Sequence, residues 1–125
     1  MILDTNAVSA IFGGDPRIES ILAGTSRHHL PTVVVGEYRY GLERSRGRRR
    51  LALLLDSLIA ASAVLPVDVV TASHYAEVRE ELRLQGTPIP ENDVWISALA
   101  RQHDLAVVSR DEHFDQILGL DRRAW

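Results

Sequence analysis

Cysteine is absent from the 125 residues, and so is lysine. Without thiols there is no disulfide framework, no thiolate metal site and no cysteine nucleophile. Without lysine, all 14 basic side chains are arginine, whose planar forks suit phosphate and carboxylate. Also missing is any apolar stretch near the roughly 20 residues that a bilayer-crossing helix needs. The run Ile59–Val67 falls far short. The opening Met1-Ile-Leu-Asp4 lacks the positive charge of a secretory leader. A soluble, cytoplasmic protein with no membrane partner is the expectation.

What is present is ordinary for a folded chain. A 46% hydrophobic and 25% charged composition excludes intrinsic disorder, and the length suits one domain spanning residues 1–125. The net charge of −3 announces no nucleic-acid binder. Its distribution says more. Between Glu37 and Arg50, six arginines (Arg39, Arg44, Arg46, Arg48, Arg49, Arg50) face only two glutamates, a local excess of +4. Charge alone favours an arginine-rich turn or solvated helix end, with a phosphate-binding stripe as the rival reading.

Punctuation along the chain is regular. Met1–Asp4 reads as a short buried strand, and Thr5 or Asn6 as the cap of a helix stopped by Gly13-Gly14. Asp15-Pro16 starts a second helix, ended at Gly24. His28–Pro31 predicts a strand, followed by a helix capped at Thr32. Leu51, Leu54, Leu55, Leu58 and Ile59 recur at helical spacing and predict a core-facing helix. Ala63–Val67 predicts a strand. Asp68 caps a long helix closed by Gly86, and a rigid loop with two prolines leads to a helix opened by Asn92. Leu105–Ser109 resembles the continuous apolar strands of buried parallel sheets. A short helix and a last strand near Leu120 complete the chain. Alternating strands and helices predict an α/β fold, a three-layer α/β/α arrangement around a parallel sheet of four to five strands.

In such sheets, functional groups gather beyond the carboxyl ends of the strands. Asp4 follows the first strand there and Asp111 the strand at Leu105–Val108. Each has a plainer explanation: Asp4 caps a helix, while Ser109 and Glu112 form a capping box beside which Asp111 favours the helix N-terminus. Glu37 lies on the stripe of Val33 and Val34. It needs a partner there, because a lone buried carboxylate is costly; Arg39 and Arg44 are candidates. Asp93 falls in the first turn of its helix, where the macrodipole alone would account for it. If the fold converges all four, the balance changes. Two carboxylates about 4 Å apart repel by about 4 kcal/mol at an effective dielectric of 20, so such a cluster binds a cation or takes up protons. An all-oxygen donor set selects Mg²⁺ or Mn²⁺ over zinc. The five histidines (His28, His29, His74, His103, His113) are scattered, and surface or capping roles suit them better than ligation.

Four segments carry a family resemblance: Ile2-Leu-Asp-Thr-Asn6; Val35-Gly-Glu-Tyr38 with Gly41; Ile89-Pro-Glu-Asn-Asp-Val-Trp-Ile-Ser-Ala98; and Val108-Ser-Arg-Asp-Glu-His-Phe114. In order and spacing they resemble the PIN-domain ribonucleases found as VapC- or FitB-like toxins of toxin–antitoxin pairs. The resemblance implies a catalytic and metal-binding quartet of Asp4, Glu37, Asp93 and Asp111, supported by Asn6 and Ser109. It implies Mg²⁺- or Mn²⁺-dependent hydrolysis of RNA, with Asp4 and Asp93 as direct ligands and Asp111 direct or through water. It also implies a silencing antitoxin and a homodimer. Arg44, Arg46, Arg48, Arg49 and Arg50 then become a candidate docking surface for RNA backbone. The alternative is a PIN-like module that binds nucleic acid or a partner without cutting. A receiver domain is excluded for want of lysine. A haloacid-dehalogenase phosphatase is excluded because Asn6 stands where its second aspartate is needed. A dinucleotide binder is excluded by the absence of a glycine-rich first turn.

Overall fold

The computed structural model describes residues 1–125. Five strands form one sheet, every neighbouring pair parallel: β1 (Ile2–Leu3), β2 (His29–Pro31), β3 (Ala63–Leu65), β4 (Val107–Val108) and β5 (Arg122–Arg123). Six α-helices join them: α1 (Thr5–Phe12), α2 (Pro16–Leu22), α3 (Thr32–Leu42), α4 (Arg48–Ala61), α5 (Val69–Gln85) and α6 (Glu91–His103). A 3₁₀ turn, Glu112–Gln116, lies between β4 and β5.

The spatial order is β3-β2-β1-β4-β5. The chain moves one way through β1, β2 and β3, then returns through α5 and α6 to lay β4 on the other side of β1. Right-handed crossovers in opposite directions put the two sets of helices on opposite faces. The reversal falls between β1 and β4, the place where such sheets open a crevice at their carboxyl ends. Ile2, Leu3, Leu30, Val107 and Val108 are all fully buried, which is why these strands read as unbroken apolar runs. They form one core with Val8, Val34, Leu55, Ile96, Leu99 and Phe114.

The ladder continues one residue past the strands. Asp4 N–H donates to the Val108 carbonyl (3.2 Å) and Ser109 N–H to the Arg123 carbonyl (3.1 Å). The side chains of Asp4 and Ser109 therefore emerge side by side at the crevice.

Several boundaries differ from the sequence expectation, and each has a local cause. The cap of α1 is Asp4, not Thr5 or Asn6, its carboxylate accepting from Thr5 N–H. Pro31 and Pro90 cap α3 and α6 in place of Thr32 and Asn92; the fixed proline φ sets both turns without a side-chain bond. The strand at Ala63 stops at Leu65 before Pro66, β4 spans only Val107–Val108, and the last strand lies at Arg122–Arg123 rather than near Leu120. In α4 the expected face does point inward, with Leu55 fully buried and Leu51, Leu54, Leu58 and Ile59 half-buried, while Leu53, which lies off that face, is 64% exposed. The long helix has the expected ends: a reciprocal Asp68–Thr71 capping box and Gly86 at φ 70°, the left-handed conformation that favours glycine.

Candidate active site

Asp4 sits where β1 turns into α1 and is 4% exposed. One oxygen, Oδ1, accepts from Thr5 N–H at 2.7 Å. The other, Oδ2, accepts from Ser109 Oγ at 2.7 Å and from Asn6 Nδ2 at 2.9 Å. Asn6 also donates to Ser109 Oγ (3.0 Å) and accepts the Arg110 N–H (3.2 Å), while Ser109 Oγ accepts the Asp111 N–H (2.9 Å). This polar web ties the end of β1 to the end of β4. The expected Ser109–Glu112 capping box is absent because the serine hydroxyl is committed to Asp4 and Asp111. Burial is the largest influence on Asp4 and raises its pKa, with repulsion from Glu37 and Asp111 adding to it. The Ser109 and Thr5 hydrogen bonds pull the other way.

Asp93 is brought in by α6. It lies in the first turn, 8% exposed, its carbonyl taken by Ser97 Oγ at 2.7 Å. The positive end of the helix favours its charge, yet the opposing influences win. Burial first, then repulsion by Asp4 and Asp111, push its pKa up to about 6. Asp111 caps the 3₁₀ turn through His113 N–H (3.1 Å), a turn anchored by the fully buried Phe114.

Glu37 reaches the same place from α3, but not for the expected reason. It is exposed rather than buried, so no desolvation forces a partner on it. Its bond is to Thr5 Oγ1, which donates to Oε2 at 2.8 Å. The two candidate arginines are engaged elsewhere, Arg39 with Asp56 and Arg44 with the Tyr40 hydroxyl. Glu37, Asp93 and Asp111 line one cleft together with Pro90, Glu91 and Asn92.

One residue of the site escaped the sequence reading. His113 Nδ1 lies 2.7 Å from Asp111 Oδ1 and 3.2 Å from Asp93 Oδ2. Asp93, Asp111 and His113 can each offer a ligand atom within 4.8 Å of the others, so His113 belongs to the cluster rather than to the scattered surface histidines. The available signal was its place two residues after Asp111, ahead of an apolar anchor, Phe114. The donor set suits a divalent cation: the carboxylates outnumber the basic groups facing them, and burial with repulsion from Asp4 and Asp111 raises the pKa of Asp93, the deepest-set of the cluster.

The arginine tract lies apart from this web, in and after the turn joining α3 to α4. Arg44, Arg46, Arg48, Arg49 and Arg50 are all exposed. Arg48 is paired with Glu43, whereas Arg46, Arg49 and Arg50 make no ion pair.

Comparison with known proteins gives this arrangement its place. The sequence profile described as PIN domain matches residues 1–119. The chain belongs to the PIN domain family. Within it, the similarity is to VapC and FitB toxins. It is 29% identical over 127 residues to the tRNA(fMet)-specific endonuclease VapC of Salmonella typhimurium, covering 99% of this chain and 96% of that protein. It is 29% identical over 122 residues to Toxin FitB of Neisseria gonorrhoeae, covering 89% and 87%. In three dimensions it superposes on the crystal structure of DNA-bound VapBC from Salmonella typhimurium with a TM-score of 0.88 at 29% identity, over 99% of this chain and 96% of that one. The α/β fold with its five parallel strands and six helices is the family's own.

Proposed function

We propose that residues 1–125 form a single PIN-like nuclease domain in which Asp4, Glu37, Asp93 and Asp111 hold Mg²⁺ or Mn²⁺ and hydrolyse RNA. The chain is a PIN-domain ribonuclease of the VapC kind, as its full-length likeness to such ribonucleases and endonucleases supports. The residue roles are our reading. It is carried by one observation: Asp93 is buried against two other carboxylates, with its pKa raised to about 6. Clustering of this kind costs stability unless a cation is drawn in.

When bound, a divalent ion supplies charge against the phosphate oxygens and acidifies a coordinated water. The chain's residues do the rest. Asp4 is immobilised by three hydrogen bonds, so its remaining lone-pair capacity points in a fixed direction. Asn6 and Ser109 hold that geometry and contact no substrate. Asp93 and Asp111 line the cleft close enough to Asp4 to repel its charge, and would be the further ligands, Asp111 directly or through water. Glu37, exposed and steadied by Thr5, is placed to orient the attacking water and accept its proton. The water oxygen bonds to phosphorus as the bond from phosphorus to the 3′ oxygen breaks. The ends left are 5′-phosphate and 3′-hydroxyl. Arg46, Arg49 and Arg50, free of ion pairs, are the members of the arginine tract most ready to meet RNA phosphates.

We expect an antitoxin as protein partner, since relatives were crystallised as VapBC and FitAB assemblies, and a second copy of the chain as the other. No helix is long and apolar enough to cross a membrane; a cytoplasmic place remains part of this proposal. The test incubates antitoxin-free protein with a panel of structured RNAs, with Mn²⁺ or with EDTA, beside Asp93→Asn. Cleavage that requires both the metal and Asp93 and leaves 5′-phosphates supports the reading. Absence of both cleavage and metal binding favours a PIN-like binding module instead.

A further inference from the structure

We propose that His113 is a direct nitrogen ligand of the cation in this cleft, giving the site a preference for Mn²⁺ and later first-row ions over Mg²⁺. This rests on the reading that the cleft holds a divalent ion. Three observations carry it. The first is spacing. Neighbouring ligand atoms around an octahedral ion with bonds of about 2.1 Å lie about 3 Å apart; His113 Nδ1 stands 2.7 Å from one carboxylate oxygen and 3.2 Å from another, on Asp111 and Asp93. The second is fixation. Phe114, fully buried, pins the turn, and His113 N–H is bonded to Asp111 Oδ1, so the imidazole is carried on a held backbone rather than a free loop.

The third is how the donors gather. Asp4 already accepts three hydrogen bonds, and a carboxylate has only about four lone-pair sites. Glu37 spends Oε2 on Thr5. Asp93, Asp111 and His113 can each bring a ligand atom within 4.8 Å of the others, and one of the three donors is nitrogen. Imidazole raises affinity for transition ions much more than for Mg²⁺, whose chemistry favours oxygen and retained water. The expectation of an all-oxygen site is thereby replaced by a mixed one.

The experiment uses the tag-free full chain loaded with Mn²⁺ alone and reads pulsed electron paramagnetic resonance. Wild type should show nitrogen modulation from a bound imidazole, and labelling histidine with ¹⁵N should change its frequencies. That second measurement needs no variant. His113→Gln should lose the modulation and bind Mn²⁺ about tenfold more weakly or worse by calorimetry, with Mg²⁺ affinity moving much less. His113→Asp, which restores an oxygen donor, should lower the Mn²⁺-to-Mg²⁺ affinity ratio. Mn²⁺ bound without nitrogen modulation, or modulation unchanged in His113→Gln, overturns the ligand assignment and leaves the metal-dependent nuclease standing. Failure of the wild type to bind Mn²⁺ overturns both.

Discussion

Neutralising Asp93 should make the metal-free protein more stable while destroying its metal response. Asp93→Asn keeps the shape of the side chain and removes its charge. With a native pKa near 6 against an ordinary value of 3.8, the folded state binds the Asp93 proton more tightly than the unfolded state does. Native stability is therefore lost as pH rises from about 4 through about 6, and the penalty is complete above that. A difference of about two pKa units corresponds to about 3 kcal/mol. The side chain is only 11% exposed, so solvent screening removes little of it. At pH 7.5 in EDTA the variant should be more stable by up to about 3 kcal/mol, an increase of about 10 °C in Tm for a chain of this size. The gain is smaller to the extent that the His113 contact offsets the charge in wild type. At pH 4 the two proteins should coincide. Adding Mn²⁺ should then raise the Tm of wild type with concentration, as a ligand of the native state must, and leave the variant nearly unmoved. Urea unfolding at the two pH values, with and without metal, measures all of this. A variant less stable than wild type at pH 7.5 in EDTA, or a difference independent of pH, refutes the picture of mutually repelling buried carboxylates.

Ser109→Ala should cost about 1–3 kcal/mol in chemical denaturation, because Ser109 is fully buried and its loss strips Asp4, Asn6 and the Asp111 N–H of a shared partner. It should also weaken Mn²⁺ binding by loosening Asp4, which calorimetry would register. Reversing Arg49 and Arg50 to glutamate should weaken binding of an RNA by wild-type-like folded protein and flatten its salt dependence; an unchanged salt slope removes that surface from the account. Gly86→Ala should lower stability by about 1 kcal/mol, read as a Tm shift, since its Cβ meets nothing and the cost comes only from the backbone at φ 70°.

The sheet was legible because its central strands are buried on both faces, and burial writes itself as uninterrupted apolar residues such as Ile2-Leu3 and Val107-Val108, although runs this short are read as strands only from the helices that alternate with them. Helix bodies were legible from their spacing and stops such as Gly86. Their beginnings were less so. Pro31 and Pro90 start helices by fixing φ, whereas the eye is drawn to Thr32 and Asn92, the side chains that would do the same job by hydrogen bonding. Helix α4 shows the other limit. Its predicted face, Leu51, Leu54, Leu55, Leu58 and Ile59, does turn inward, and Leu53, off that face, stays exposed. But period reports which residues share a side, not how deeply that side is covered, and only Leu55 is fully buried.

The acidic residues were found for partly the wrong reason. Glu37 was marked by a burial cost it does not bear, being exposed and held by a threonine hydroxyl from α1. Asp4 caps α1 as its plainer explanation held, whereas Asp111 itself caps the 3₁₀ turn in place of the expected Ser109–Glu112 box and lines the cleft as well. Capping and gathering at a site are not alternatives here: the turn that ends a strand at the switch point needs a short acceptor, and Asp4 satisfies it with one oxygen while the other is held by Asn6 and by Ser109 from the end of β4. His113 was missed because a single histidine has no spacing to read. Its partners, Asp93 and Asp111, come from different elements and lie 20 and 2 residues away. Helix α6 and the 3₁₀ turn after β4 pack directly on each other, which is what brings Asp93 to Asp111 and His113, and that packing follows from tertiary structure, not from any local pattern. Legibility thus divides along a physical line. Groups that answer to their own helix or strand announce themselves in sequence, while groups whose partner is long-range are visible only when the fold has closed around them.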